Sequence, residues 1–163
     1  MSKLIKLNLF RWLIKKIFLM RKLFAVIALV VLFFSCSSDT VRYQNPFIPN
    51  YNFSITIDAN LPLYSGLLSS INPIRITNEN VGANGIIVMK ISDTDYRAWE
   101  ANCPNQYPSA CSRMVINGLN AKCPCDDIEY SLFNGVGMNN QGEYTMKPYR
   151  VDILGKNLIR VSN

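Results

Sequence analysis

The chain has 163 residues and a formal net charge of +6, but its charges are unevenly distributed. Residues 1–35 contain seven of the seventeen Lys and Arg residues and neither Asp nor Glu, which leaves ten basic and eleven acidic residues after them. The positive charge therefore belongs to a leader, and we predict no nucleic-acid partner. The sequence also lacks histidine, which removes the commonest acid–base residue and a common metal ligand.

The first segment, residues 1–19, is basic and apolar with helical spacing, and two interpretations of it remain open. It is either an amphipathic helix at a membrane surface or a doubtful extension upstream of the true start. Because Met20, Arg21 and Lys22 form a complete basic start of a signal peptide, we favour translation from Met20. The basic residues of the segment are Lys3, Lys6, Arg11, Lys15 and Lys16.

Residues 20–35 have the layout of a signal peptide. The basic start is followed by an apolar run from Leu23 to Phe34 and then by a small residue, Ser35. A membrane-spanning helix needs about 20 apolar residues, and this run is shorter. We therefore predict a cleaved signal peptide, and the alternative is an uncleaved signal anchor.

The junction Ser35-Cys36 resembles a lipobox, in which a small residue precedes a cysteine that receives diacylglycerol before cleavage. We predict that Cys36 carries lipid, palmitate among its acyl chains, because two chains on one residue anchor a protein stably. Residues 36–51 contain the pairs Asn45-Pro46 and Ile48-Pro49, and a residue before proline favours extended angles. We therefore predict an extended, lipidated tether over 36–51. The expected location is the cell envelope, at the outer membrane, with the domain in the periplasm or at the surface and the membrane as the predicted partner.

From residue 52 onward the pattern is that of β-strands. Alternation of apolar and polar residues predicts half-buried strands, and a continuous apolar run predicts a strand covered on both faces. We predict one antiparallel all-β domain over residues 52–163, a sandwich or small barrel. Its elements are strands at 53–58 and 74–77, a short helical turn within 60–72, a hairpin at 85–101, and a second hairpin formed by 149–153 and 157–161 around Gly155-Lys156.

Besides Cys36 the chain has four cysteines, namely Cys103, Cys111, Cys123 and Cys125. In an exported chain an even set predicts two disulfides. Because Cys123 and Cys125 flank a proline, we expect each of them to pair with a cysteine of the 103–111 segment, and both such pairings remain open. A zinc site is the alternative, although the 123–125 spacing is short for a zinc knuckle.

The cysteine segments resemble the Rieske iron–sulfur family. The resemblance lies in Cys103-Pro104-Asn105, in Cys111, and in the stretch 121–135, which contains Cys123-Pro124-Cys125-Asp126. That family has Cys-x-His in a first loop and Cys-x-x-His in a second, often as Cys-Pro-Cys-His. The flanking segments 86–99 and 146–151 match the family's strands, so the resemblance covers residues 53–163 and implies a Rieske-like fold with two cysteine-bearing loops.

The resemblance also assigns roles to single residues. Cys103 and Cys123 stand at the cysteine-ligand positions, Asn105 and Asp126 stand at the two histidine positions, and Cys111 and Cys125 match an extra disulfide pair. Carboxamide and carboxylate groups do not replace the two imidazoles that bind the outer iron. We therefore expect that the cluster is lost and that Cys103 and Cys123 form a second disulfide, since one iron would have held both.

Three functional hypotheses follow. The favoured one is a membrane-anchored lipoprotein with neither cofactor nor enzymatic activity, which has a structural or binding role and an unidentified protein partner. The second is an electron-transfer protein with an atypical [2Fe–2S] cluster on Cys103, Asn105, Cys123 and Asp126. The third is a thiol–disulfide protein that uses Cys123-Pro124-Cys125. The acidic residues 126, 127 and 129 are interpreted as a solvated face, and Tyr96 and Trp99 as packing residues.

Overall fold

The computed structural model describes residues 45–163, together with Lys16 and residues 20–22. The chain divides into two compact units, Met1–Arg42 and Tyr43–Asn163. Residues 23–35 of the predicted signal peptide and Cys36, the predicted lipidation site, lie outside the described residues. Within the described residues, no helix is both long and apolar enough to cross a membrane.

The second unit is built from short antiparallel strands, which confirms the predicted all-β class. The described part contains three sheets of three strands each, ordered β1-β9-β8, β2-β3-β4 and β5-β6-β7. Two short 3-10 helices accompany them, one at Pro62–Leu68, within the predicted helical turn, and one at Met138–Asn140. The strands are β1 (Ser54–Asp58), β2 (Ile74–Ile76), β3 (Ile86–Ser92), β4 (Asp95–Glu100), β5 (Val115–Asn117), β6 (Asn120–Lys122), β7 (Glu129–Ser131), β8 (Arg150–Gly155) and β9 (Leu158–Ser162).

Strand β3 contributes to two hydrophobic cores. Successive side chains of a strand point to opposite faces, so Ile86 and Val88 enter one core with residues of β1, β2 and β9. Ile87 and Met89 enter a second core with residues of the first cysteine-bearing segment, β6 and β7. All four side chains are 0% exposed, which confirms the prediction, made from the continuous apolar run, of a strand covered on both faces.

Both predicted hairpins are present. Strands β3 and β4 pair with Ile86 opposite Glu100, and strands β8 and β9 pair with Val151 opposite Val161. The second turn lies one residue later than predicted, at Lys156 and Asn157. Asn157 has a φ of 62°, a left-handed conformation that asparagine tolerates better than most residues.

The third sheet, β5-β6-β7, was not predicted from the sequence. Its strands have only three residues each, too few for alternation to be recognised. Strands β5 and β6 are joined by Gly118 and Leu119, and Gly118 has a φ of 60°, which glycine adopts without strain. This sheet positions Cys123 and Cys125, which lie between β6 and β7.

The end of the predicted tether is part of the domain. Asn45 is buried and its Nδ2 donates a hydrogen bond to the Pro104 carbonyl oxygen at 2.7 Å. Ile48 is buried, and the ring of Phe47 contacts the ring of Tyr107 edge-on at 5.1 Å. The predicted tether over 36–51 therefore does not extend freely at residues 45–48, whose side chains pack against the domain. Residues 36–44 lie outside the described residues.

The paired disulfides as candidate functional site

Two loops bring the four cysteines together. The first cysteine loop, residues 101–114, connects β4 to β5, and the second cysteine loop, residues 123–128, connects β6 to β7. Cys103 is bonded to Cys123 with an S–S distance of 2.08 Å, and Cys111 is bonded to Cys125 at 2.09 Å. This is the pairing that the resemblance implies.

The two disulfides differ in exposure. Cys103 and Cys123 are 0% exposed and lie in the second core, whereas Cys125 is half-buried and Cys111 is exposed. The Sγ atoms of Cys103, Cys123 and Cys125 all lie within 4.8 Å of one another. We call Cys103–Cys123 the buried disulfide and Cys111–Cys125 the surface disulfide. The Cys125 sulfur therefore lies within 4.8 Å of both sulfurs of the buried disulfide.

The first cysteine loop is held by polar groups that the sequence analysis did not identify. The backbone N–H of Cys103 donates to the Ser112 carbonyl at 2.7 Å. The side chain of Asn102, itself fully buried, donates to the carbonyls of Cys103 and Gln106 at 2.9 and 2.7 Å. The Ser112 hydroxyl donates to Asn102 Oδ1 at 2.7 Å. These bonds satisfy polar groups that burial would otherwise penalise, and they fix the position of Cys103.

The second cysteine loop is a tight turn. The N–H of Cys123 donates to the Ile128 carbonyl at 2.9 Å, and the N–H of Asp127 donates to the Cys123 carbonyl at 3.0 Å. Asp127 has a φ of 59°, which aspartate tolerates in turns. The turn is closed further by Asp126, whose Oδ1 accepts the N–H of Ile128 at 3.1 Å.

Asn105, at the first histidine position of the resemblance, has a structural role. Its Nδ2 donates to the Tyr130 hydroxyl at 2.7 Å. Its Oδ1 accepts the backbone N–H groups of Glu143 and Tyr144 at 3.1 and 2.9 Å. Both ends of the carboxamide are thus engaged, and Asn105 ties the first cysteine loop to the segment that precedes β8.

The acidic residues of the second cysteine loop region are also engaged with protein groups. Asp126 Oδ2 lies 3.5 Å from Gln106 Nε2, and Asp127 pairs with Lys122 Nζ at 2.9 Å. The hydrogen bond from Lys122 to Asp127, together with the negative charge of Asp127, raises the pKa of the lysine. Glu129 accepts hydrogen bonds from the side chains of two asparagines. These contacts agree with the interpretation of a solvated face rather than a cation site.

Glu100 is the most important polar residue that the sequence analysis missed. It is 0% exposed, and its carboxylate accepts the backbone N–H groups of Ala83 and Asn84 at 2.8 and 3.1 Å. It also accepts the N–H of Asn102 at 2.9 Å and the hydroxyl of Tyr149 at 2.7 Å. The alternation in β4 places residue 100 on the same face as Ala98, which was the available signal of burial.

The donor set does not fit a [2Fe–2S] cluster. Cluster ligation requires two free thiolates, but Cys103 and Cys123 are bonded to each other. Asn105 uses its oxygen for two amides, and Asp126 uses one oxygen for its own turn. These four residues could bind iron only after reduction of the Cys103–Cys123 bond and release of these hydrogen bonds, so we derive no step through a cluster.

We expect Asn105→Ala to lower the free energy of unfolding by about 1–3 kcal/mol, because it removes the acceptor of two backbone amides and the donor to the Tyr130 hydroxyl. Hydrogen exchange should accelerate at the amides of Glu143 and Tyr144 while the amides of β8 and β9 keep their protection. The matched control is Asn105→Asp, whose carboxylate still accepts hydrogen bonds from both amides and can accept one from the Tyr130 hydroxyl. Unchanged exchange at these two amides in the alanine variant would contradict the structural role.

Comparison with known proteins identifies no family for this chain. No protein-family model matches the sequence, and no curated protein matches it. Several solved structures resemble it, among them the following three. One is a chain of the complex of reduced oxygenase and oxidized ferredoxin in carbazole 1,9a-dioxygenase, with 11% identity and a TM-score of 0.44, covering 70% of this chain and 94% of that one.

The other two are described as small subunits of nitrite reductases. The NADPH-dependent one has 16% identity and a TM-score of 0.40, covering 67% of this chain and 97% of that one. The NADH-dependent one, from Mycobacterium tuberculosis, has 12% identity and a TM-score of 0.42, covering 70% and 97%. With TM-scores below 0.5 we base no argument on these similarities.

Proposed function

We propose that this protein is a lipoprotein of the cell envelope whose Rieske-like domain has a disulfide in place of an iron–sulfur cluster. In this proposal the domain has a structural or binding role and no enzymatic activity. The observation that carries it is the bond between Cys103 and Cys123, the two residues at cysteine-ligand positions. Further support comes from Asn105, whose carboxamide ties two loops together and is not free to bind a metal.

The disulfides provide what a cluster would provide to the loops, namely a covalent link. Each typically contributes 2–4 kcal/mol to stability, and together they join the first and second cysteine loops at two points. A module held in this way presents loop surfaces of fixed shape, which suits a binding role.

Anchoring at Cys36 would hold this module close to the membrane. Asn45 is fixed to the domain by its bond to Pro104, and only nine residue steps separate it from Cys36. An extended chain spans at most about 3.6 Å per residue, so the lipidated cysteine and Asn45 are separated by roughly 30 Å or less. We therefore propose that the partner is itself in or near the membrane.

The test is to express the full chain in a bacterial envelope and to purify it from the membrane fraction with detergent, without reductant. We expect the mass of a chain that begins at Cys36 with diacylglycerol attached. We also expect neither iron nor visible absorption bands, and no thiol that reacts before denaturation and reduction. Stoichiometric iron with charge-transfer bands would overturn the cluster-free proposal and favour the electron-transfer hypothesis.

Two variants separate the anchoring claim from the disulfide claim. Cys36→Ser should lose the lipid mass, whereas the neighbouring change Ser37→Ala should keep it. Neither substitution should alter the thiol count or the iron content of the domain. Retention of an acylated product by the Cys36→Ser variant would contradict lipidation at this residue without affecting the disulfide part of the proposal.

A further inference from the structure

The geometry of the four cysteines points to a reaction between the two disulfides. We propose that Cys125 transfers reduction from the surface disulfide to the buried disulfide, so that the pair acts as one thiol–disulfide unit toward an external dithiol. The proposal rests on the three sulfurs of Cys103, Cys123 and Cys125, which lie within 4.8 Å of one another. It requires only the two disulfides and is independent of the proposed anchoring and binding role.

The difference in exposure determines where a reductant enters. Thiol–disulfide exchange needs direct access of a thiolate to a sulfur atom, and both sulfurs of the buried disulfide belong to residues that are 0% exposed. Cys111 is exposed, and its Sγ lies 3.6 Å from the Ser109 hydroxyl, which is exposed too. An external dithiol therefore reaches the surface disulfide and not the buried one.

The first step reduces the surface disulfide by two electrons. One thiolate of the dithiol attacks a sulfur of the Cys111–Cys125 bond, which breaks as a mixed disulfide forms. The second thiol of the reagent then displaces the protein sulfur and leaves as a cyclic disulfide. Whichever sulfur is attacked first, the products are Cys111 and Cys125 as thiol or thiolate, and the reagent is oxidised by two electrons.

The second step moves the remaining disulfide toward the surface. The Cys125 thiolate attacks Cys103 Sγ, a Cys103–Cys125 bond forms, the Cys103–Cys123 bond breaks, and Cys123 leaves as a thiolate that takes a proton from water. No electrons are exchanged with the reagent here, because one disulfide replaces another. Attack on Cys123 is less favourable, since a Cys123–Cys125 bond would close a small ring around Pro124, whose φ is fixed.

Two single variants test this directly because each starts with the same number of cysteines. Cys111→Ser leaves the Cys125 thiol beside the buried disulfide, whereas Cys125→Ser leaves the Cys111 thiol, whose sulfur does not belong to the group of three. At equal dithiothreitol concentration under native conditions, we expect the buried disulfide to be reduced at least about tenfold faster in Cys111→Ser. Disulfide mapping before the reaction should show Cys103–Cys123 in Cys125→Ser, and a Cys103–Cys125 bond already present in Cys111→Ser would support the exchange.

The wild-type protein provides the second measurement and needs no variant to fold. Acid quenching and alkylation after brief treatment with dithiothreitol should trap a species with a Cys103–Cys125 bond and with free Cys111 and Cys123. Equal reduction rates in the two variants would overturn the proposal. So would a wild-type protein whose surface disulfide is fully reduced while Cys103–Cys123 remains intact and no rearranged species forms.

Discussion

Replacement of Glu100 by alanine is expected to lower the free energy of unfolding by about 3–5 kcal/mol, because each buried donor that loses its acceptor costs about 1–3 kcal/mol. The carboxylate accepts three backbone N–H groups and the Tyr149 hydroxyl. The substitution removes the acceptor of three backbone N–H groups, one hydrogen bond of the Tyr149 hydroxyl and the packing of the side chain. Urea unfolding followed by circular dichroism measures the change.

Two further variants serve as comparisons for that result. Glu100→Gln keeps the shape but points an amide toward backbone donors, so we expect a loss smaller than that of the alanine variant. Glu79→Ala, at an exposed position, should stay within about 0.5 kcal/mol of wild type, as is usual for surface substitutions. A loss below about 1 kcal/mol for Glu100→Ala would contradict the central role assigned to this carboxylate.

The second large effect is expected for the double variant Cys103→Ala/Cys123→Ala, which removes the buried disulfide. Its 20-residue sequence separation corresponds to about 3 kcal/mol of chain entropy in the unfolded state. Loss of two buried sulfurs from the second core adds a cavity cost, so we expect the free energy of unfolding to fall by about 4–5 kcal/mol in total. The midpoint of urea unfolding under oxidising conditions measures this loss.

The matched control is Cys111→Ala/Cys125→Ala, which removes the surface disulfide. Its sequence separation of 14 residues gives nearly the same entropic contribution, about 3 kcal/mol. Cys111 is exposed and Cys125 is only half-buried, so little cavity forms. We expect removal of the buried disulfide to lower the free energy of unfolding more than removal of the surface disulfide. A larger loss for the surface disulfide would contradict the burial argument.

The parts of the fold that the sequence predicts are those with a clear hydrophobic period. Strands β1, β3 and β4 alternate or run continuously apolar over five or more residues, which is enough for a face to be recognised. The second hairpin is similarly clear, and its turn shifts by a single residue because Asn157 adopts the left-handed conformation.

The remainder of the site depends on contacts between distant residues. Asn105 bonds to residues 25 to 39 positions away, and no local pattern indicates such partners. Strands of three residues, such as β6, carry no readable period. The resemblance gave the cysteine pairing but not the reason why the loops hold it, which lies in buried side chains such as Asn102.

The strand that serves both cores raises a question of register. A slip of β3 by one residue would exchange Ile86 and Val88 with Ile87 and Met89 between the two cores. Because both sets are aliphatic or thioether side chains, hydrophobicity alone discriminates weakly between the two alignments. Glu100 lies opposite Ile86 across the ladder, and a slip of β3 would carry away Ala83 and Asn84, which precede the strand and donate to the carboxylate. We infer that this buried charge selects one alignment of the sheet, so that its contribution includes structural specificity as well as stability.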